Sequence, residues 1–242
     1  SDVYFLQIAS SWGQAWTKTQ WSGFRTWYDF SRNLSSFDRI PHAVSNWPET
    51  SWLKYYIKYL VLHDKYFVFP KESLTTNFGD SGTHNFEDDT TFQVPLCYKF
   101  NETMRLVSIQ DSINVYDSFF ELDARIFNHF NPRLKNKQLI IDLYGTKDLT
   151  VQDGDFVISS KPIIGEPIRS FGLAIKPMAL NIINNLDGNY FYLANKSNFV
   201  NDYLDNKLNN SEWTYFFGKS VSTQMLSIVV KRFFSKIKKM LK

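Results

Sequence analysis

The chain has 242 residues, 43% of them apolar and 21% charged, with a net charge of +3; this is enough apolar material for a real core and too little charge to keep the chain unfolded. A single cysteine, Cys97, excludes an intrachain disulfide, fits a reducing compartment and, flanked by Pro95, Leu96 and Tyr98, reads as an inert buried thiol. Four scattered histidines without a Cys-x-x-Cys argue against structural zinc, and no secretory signal or run of about 18 apolar residues is present, so a cytoplasmic location is expected.

Taken in order, Val3, Phe5, Leu6 and Ile8 read as a strand leading into a Ser-Ser-Trp-Gly turn. From Lys18 to Phe37, aromatics at 21, 24, 27, 28 and 30 predict a helix with Trp21, Phe24 and Tyr28 on one face; its thin charged side predicts packing within the domain. Pro48 reads as the start of a second helix with Glu49 in its first turn, where the macrodipole favours an anion. Trp52, Tyr55, Tyr56, Tyr59, Leu60 and His63 would form its apolar face, with Lys54, Lys58 and Lys65 mostly off it. Tyr66 to Phe69, stopped by Pro70, reads as a buried strand. The polar loop that follows, Asn77, Gly79, Asp80, Ser81, Gly82, Thr83 and His84, packs poorly and hydrogen-bonds well, the composition of a ligand-facing loop. Glu49 and His84 would then stand at the two ends of one helix–strand unit and face one cleft.

Glu87, Asp88 and Asp89 read as solvated surface, because no apolar strand delivers them to a metal. Thr91 to Leu96 is a short extended segment. Within 101–138, Phe119, Phe120, Leu122, Ile126, Phe127 and Phe130 predict an amphipathic helix ended by Asn131-Pro132, with a soft domain boundary in the basic stretch after it. A small α/β unit is expected over 138–215. It has strands at 139–144, 155–158, 168–175 and 189–193, and a helix opened by Pro177 that runs to Leu186. Gly145-Thr146-Lys147 is too short a signal for phosphate binding. The tail, 219–242, carries seven positive charges and no acid, leaving the rest of the chain at −4. With Leu226, Val229, Val230, Phe233, Ile237, Met240 and Leu241 on one face, it reads either as a basic amphipathic helix on an anionic membrane or as a surface helix docked on the domain; the acidic body argues against nucleic acid.

Aromatics make up 17% of the chain, and six of the seven tryptophans (Trp12, Trp16, Trp21, Trp27, Trp47 and Trp52) lie in its first quarter. Rings near polar loops are what a pyranose face stacks on, while any single one of them can equally fill a core. Ser10 to Trp16 (SSWGQAW), Pro-Glu-Thr-Ser-Trp at 48–52, Phe-Pro-Lys-Glu-Ser-Leu at 69–74 and Asn-Phe-Gly-Asp-Ser-Gly-Thr-His at 77–84 resemble, in order, a pattern of bacterial sugar-nucleotide glycosyltransferases of the GT-A fold. The likeness covers roughly residues 4 to 97.

The resemblance implies an α/β chain. Residues 1–100 would be the acceptor-side part of a GT-A-like mixed-sheet domain, 101–137 a helical connection, 138–215 an extension and 219–242 the basic helix. In that family a donor-binding half ending in an Asp-x-Asp metal motif precedes this region. The implied activity is inverting, metal-dependent transfer from a nucleotide-sugar to a saccharide or lipid-linked acceptor in surface polysaccharide synthesis; a non-catalytic carbohydrate-binding module is the alternative. The resemblance makes Glu49 the base, although Thr50 separates it from Ser-Trp, so Asp80 and Asp38 stay open as rivals. It places Trp12, Gly13, Trp16, Trp52, Asn77 and Asp80 at the acceptor, and His84 at a Mn2+ or Mg2+ ion or the diphosphate.

Overall fold

The computed structural model describes residues 1–33, 39–76, 78–79, 90, 93–98, 103–135 and 137–200. Within it, two mixed sheets and a helical layer make an α/β fold, and Ser1–Asn201 form one compact unit. The expected helix at 219–242 and the last residues of the 138–215 extension lie outside the described residues.

The first sheet is built around its earliest strand. β1 (Val3–Leu6) pairs antiparallel with β2 (Phe67–Pro70) on one side and parallel with β3 (Val115–Tyr116) on the other. Val3, Phe5 and Val115 are buried together, as the alternation of β1 requires. β2 is an edge strand and is only half-buried, with Val68 exposed, so the expected buried strand is corrected to one that keeps a wet face. Its terminal Pro70 is tolerated because an edge leaves one row of backbone groups unpaired.

Two helices pack beside this sheet. α1 (Lys18–Ser31) opens with a capping box in which Thr17 and Gln20 each bond the other's backbone N–H. Phe24 alone on this helix is fully buried, worth about 1.5–3 kcal/mol for the ring, while Trp21 and Phe30 face solvent. The helix therefore packs on the domain core through one stripe, with Trp27 and Tyr28 partly buried beside Phe24, as its thin charged side predicts. A single turn, α2 (His42–Ser45), adds Val44 to the same core, and α3 (Trp52–Leu62) crosses behind it with Ile57 and Leu60 buried.

α3 departs from its expected pattern at both ends of the argument. Ser51 is its N-cap, so Pro48 and Glu49 belong to a preceding turn closed by Ser51 N–H donating to the Pro48 carbonyl at 2.9 Å. Lys54 and Lys58 are 2% and 1% exposed, and are not on a solvent face. Lys58 Nζ donates to the Arg32 carbonyl at 2.9 Å, closing the C-terminal cap of α1, and Lys54 Nζ donates to the Trp47 carbonyl at 3.0 Å. Each aliphatic stem fills the core while its ammonium satisfies a carbonyl from another segment.

The expected helix over 119–130 is shorter. Asp117 Oδ1 accepts the N–H groups of Phe119 and Glu121 at 2.8 and 3.0 Å, and Phe120 sits at φ 62°, so the chain turns there. α4 (Ala124–Phe130) begins only after Asp123, which caps it, and Asn131 ends it as expected. The second sheet then follows the predicted order: β4 (Leu139–Asp142), β5 (Phe156–Ser159), β6 (Arg169–Phe171), α5 (Ala179–Ile183) and β7 (Phe191–Asn195), arranged β4-β5-β7-β6. β4 and β5 are parallel; β7 is antiparallel to both its neighbours. Gly172 and Gly188 meet backbone to backbone beside β6, so closely that a Cβ on Gly188 would lie 2.4 Å from the Gly172 Cα. Among the described residues no helix is long and apolar enough to cross a membrane.

Candidate functional site

Residues 10–16 run between two clefts, with Trp52 of the second motif at one and residues 69–74 of the third at the other. The first cleft, about 400 Å³, is lined by Gln14, Trp16, Trp21, Phe24, Arg25, Tyr28 and Trp52. Trp16 stands edge-on to Trp21 at 5.3 Å and packs on Tyr56 at 4.3 Å, while Trp52 reaches it through Phe24 and Tyr56. Trp21 and Trp52 keep 45% and 37% of their surface in solvent, so these rings are presented and are not consumed by the core. Arg25 lies over Trp21 and Tyr28 at 5.9 and 5.7 Å and pairs with Asp29, and Gln14 Oε1 accepts the Trp16 indole N–H at 3.0 Å.

The second cleft, about 830 Å³, is lined by Trp12 and Gly13 together with β2 and residues 71–76 and 94–97. Gly13 has φ 60°, a left-handed conformation that a side chain would strain, and it lets the turn pass close to Thr75. Cys97 is only half-buried here, its N–H donating to the Ser73 carbonyl at 2.8 Å, which corrects the expectation of a buried thiol. Trp12 and Trp16, four residues apart in one motif, thus serve different openings.

Glu49 lines neither cleft. Its Oε1 accepts Lys54 Nζ at 2.6 Å and its Oε2 accepts the Tyr55 hydroxyl in a short hydrogen bond. The Lys54 ammonium, then the Tyr55 hydroxyl, hold the carboxyl below its ordinary range, and the same bond pushes Tyr55 up to about 12. A carboxylate with both oxygens engaged and a lowered pKa is a weak base; in this arrangement Glu49 anchors a buried lysine. Tyr55 in turn meets Tyr28 edge-on at 5.5 Å, so Glu49 stands one ring behind the wall of the first cleft.

Asn77, Asp80 and His84, with the rival Asp38, lie outside the described residues, so the convergence expected of Glu49 and His84 falls outside them too. Among the described residues no group of three or more His, Cys, Asp or Glu could hold a metal ion. The divalent cation that the resemblance implies therefore has no donor set there.

Sequence reasoning missed a buried polar cluster between the sheets. Lys147 donates through Nζ to Asp117 in a short contact and to the Ile141 carbonyl at 2.5 Å. Asp142 accepts from Lys147 N–H and Ser159 Oγ, each at 3.0 Å, with Lys161 Nζ at 3.6 Å. Glu121, 1% exposed, accepts the Tyr144 N–H at 2.9 Å; burial pushes its carboxyl up to about 8, with Lys147 acting against that shift. The only sequence signals were Asp142 ending an apolar strand and Lys147 in the Gly-Thr-Lys turn, whose ammonium is taken up by Asp117 and the Ile141 carbonyl. No family model matches this chain, and neither a curated protein nor a solved structure matches it.

Proposed function

We propose that the cleft walled by Trp16, Trp21 and Trp52 binds a saccharide, as the acceptor side of the glycosyl transfer that the motif order implies. The observation that carries this is convergence: Trp16 from the first motif and Trp52 from the second wall one opening, and Trp12 and Gly13 meet the Phe-Pro-Lys-Glu-Ser-Leu segment in the next. Half-exposed indoles offer flat apolar faces to the C–H face of a pyranose, and Gln14 and Arg25 at the rim offer donors to its hydroxyls. The basic tail, from its composition, is proposed to hold the protein at an anionic membrane where a lipid-linked acceptor would be met.

Within this function, transfer and simple binding differ at Glu49. As a base it must first leave Lys54 and Tyr55; as an anchor it stays with them. The test is titration of the protein with a panel of soluble hexopyranose oligosaccharides, beside hydrolysis of nucleotide-sugars with manganese. Trp21→Ala and Trp52→Ala are expected to weaken oligosaccharide binding by about tenfold each. If no oligosaccharide binds, or both variants bind as the parent does, the saccharide reading fails. If Glu49→Gln lowers hydrolysis by about a hundredfold or more with binding intact, Glu49 is the base; unchanged hydrolysis makes it an anchor.

A further inference from the structure

A third cleft, of about 320 Å³, opens on the far side of Glu121 between the turn preceding α4, the end of β4 and helix α5. Its walls are apolar: Ile113, Leu122, Ile126, Phe130, Leu143 and Leu180. Tyr116 and Tyr144 also border it, and among the described residues no lysine, arginine or histidine lines it. Glu121 is the one acidic residue lining it, and its Oε2, unlike Oε1, has no hydrogen-bond partner among the described residues. A volume of this size lies at the small end of ligand sites, and apolar walls around one polar group are the usual composition of such a site.

The charges behind Glu121 decide the class of ligand. Asp117 is paired with Lys147 and Asp142 with Lys161, so two acids and two ammoniums account for one another. Glu121 is the odd acid of the cluster. Its charge can be cancelled by a bound proton or by a cation brought into the cleft, and the walls supply no cation of their own.

We propose that this cleft binds a small organic cation with an apolar body, an alkylamine or arylalkylamine whose ammonium donates to Glu121 Oε2 while its hydrocarbon packs on Leu122, Ile126 and Leu180. The site is separate from the aromatic clefts and does not depend on the saccharide reading. Because burial keeps Glu121 protonated near neutrality, the entering ammonium displaces that proton to solvent. Asp117, Asp142, Lys147, Tyr116 and Tyr144 are the other titratable groups around Glu121.

The probe is phenethylamine, compared with 2-phenylethanol, which has the same body without the charge. Calorimetric titration of the full chain at pH 7 is expected to show the amine binding at least about tenfold more tightly than the alcohol. In buffers of different ionisation heat, amine binding should release close to one proton, and its affinity should rise between pH 6 and 8. Glu121→Gln should remove the tenfold preference and the proton release while leaving the alcohol's affinity within about twofold. Ala179→Phe, which places a ring among the residues lining the cleft and keeps the carboxyl, should abolish binding of both compounds and serves where the Gln variant does not fold. Equal affinities for the two compounds, no detectable amine binding, amine binding without proton release, or amine binding that survives Ala179→Phe would each overturn the proposal.

Discussion

Replacing Glu121 with Gln isolates the contribution of one buried acid to the pH dependence of folding. Gln keeps the oxygen that accepts the Tyr144 N–H and removes the ionisation. The carboxyl titrates near its ordinary 4.5 in the unfolded chain and near 8 in the fold, raised chiefly by burial. Below pH 4.5 it is protonated in both states and its ionisation costs the fold nothing. As pH rises from 4.5 toward 8 the unfolded chain releases the proton and the folded one retains it, so stability is lost progressively and levels off above 8. That interval corresponds to on the order of 5 kcal/mol, a large share of the 5–15 kcal/mol that holds an ordinary domain together. Asp123, also raised by burial, imposes a fall of the same sign on both proteins that cancels in the comparison, whereas Asp142, raised by burial and close enough to feel the Glu121 charge, adds a smaller difference between them. Urea unfolding of parent and variant at pH 5, 6, 7 and 8 should therefore show the variant gaining steadily on the parent with pH. A stability difference that stays the same at all four values would refute the reasoning.

Three further outcomes are expected. Gly188→Ala forces a Cβ against the Gly172 backbone and should destabilise the fold by about 1–3 kcal/mol in the same urea assay; an unchanged midpoint would mean the two segments separate freely. Lys58→Met keeps the buried stem but leaves the Arg32 carbonyl without its ammonium donor, and should cost about 1–3 kcal/mol, with exchange of the amide hydrogens in the last turn of α1 accelerated. Truncation before Lys219 should abolish pelleting with vesicles rich in anionic lipid, an interaction that rising salt should also weaken; equal pelleting of both forms would remove the membrane proposal.

What could be read from the chain depended on whether a signal was local. The strands of the second sheet were legible because Leu139 to Asp142 and Phe156 to Ser159 are short apolar runs bounded by turn residues, and nothing distant is needed to make them strands. The helix is shorter than the spacing over 119–130 predicts because that spacing is helical while the Asp117 side chain captures two backbone N–H groups and turns the chain. Periodicity puts Lys54 and Lys58 on a wet face for a similar reason. A lysine's burial here is set by carbonyls at Trp47 and Arg32, and Arg32 is 26 residues away, which periodicity does not register. Of the candidate site, Trp16 and Trp52 stand in the motifs that carry the resemblance and do share a cleft, whereas Glu121 carries no sequence signal, because its unusual proton affinity comes from what surrounds it.

The position of β1 between two strands that never touch one another has a consequence for synthesis and cleavage. Its antiparallel neighbour emerges some sixty residues later and its parallel neighbour more than a hundred, so during synthesis Val3 to Leu6 waits first without either partner and then with one edge still open. Proteolysis just after Leu6 would leave Phe67–Pro70 and Val115–Tyr116 without the one segment that joins them.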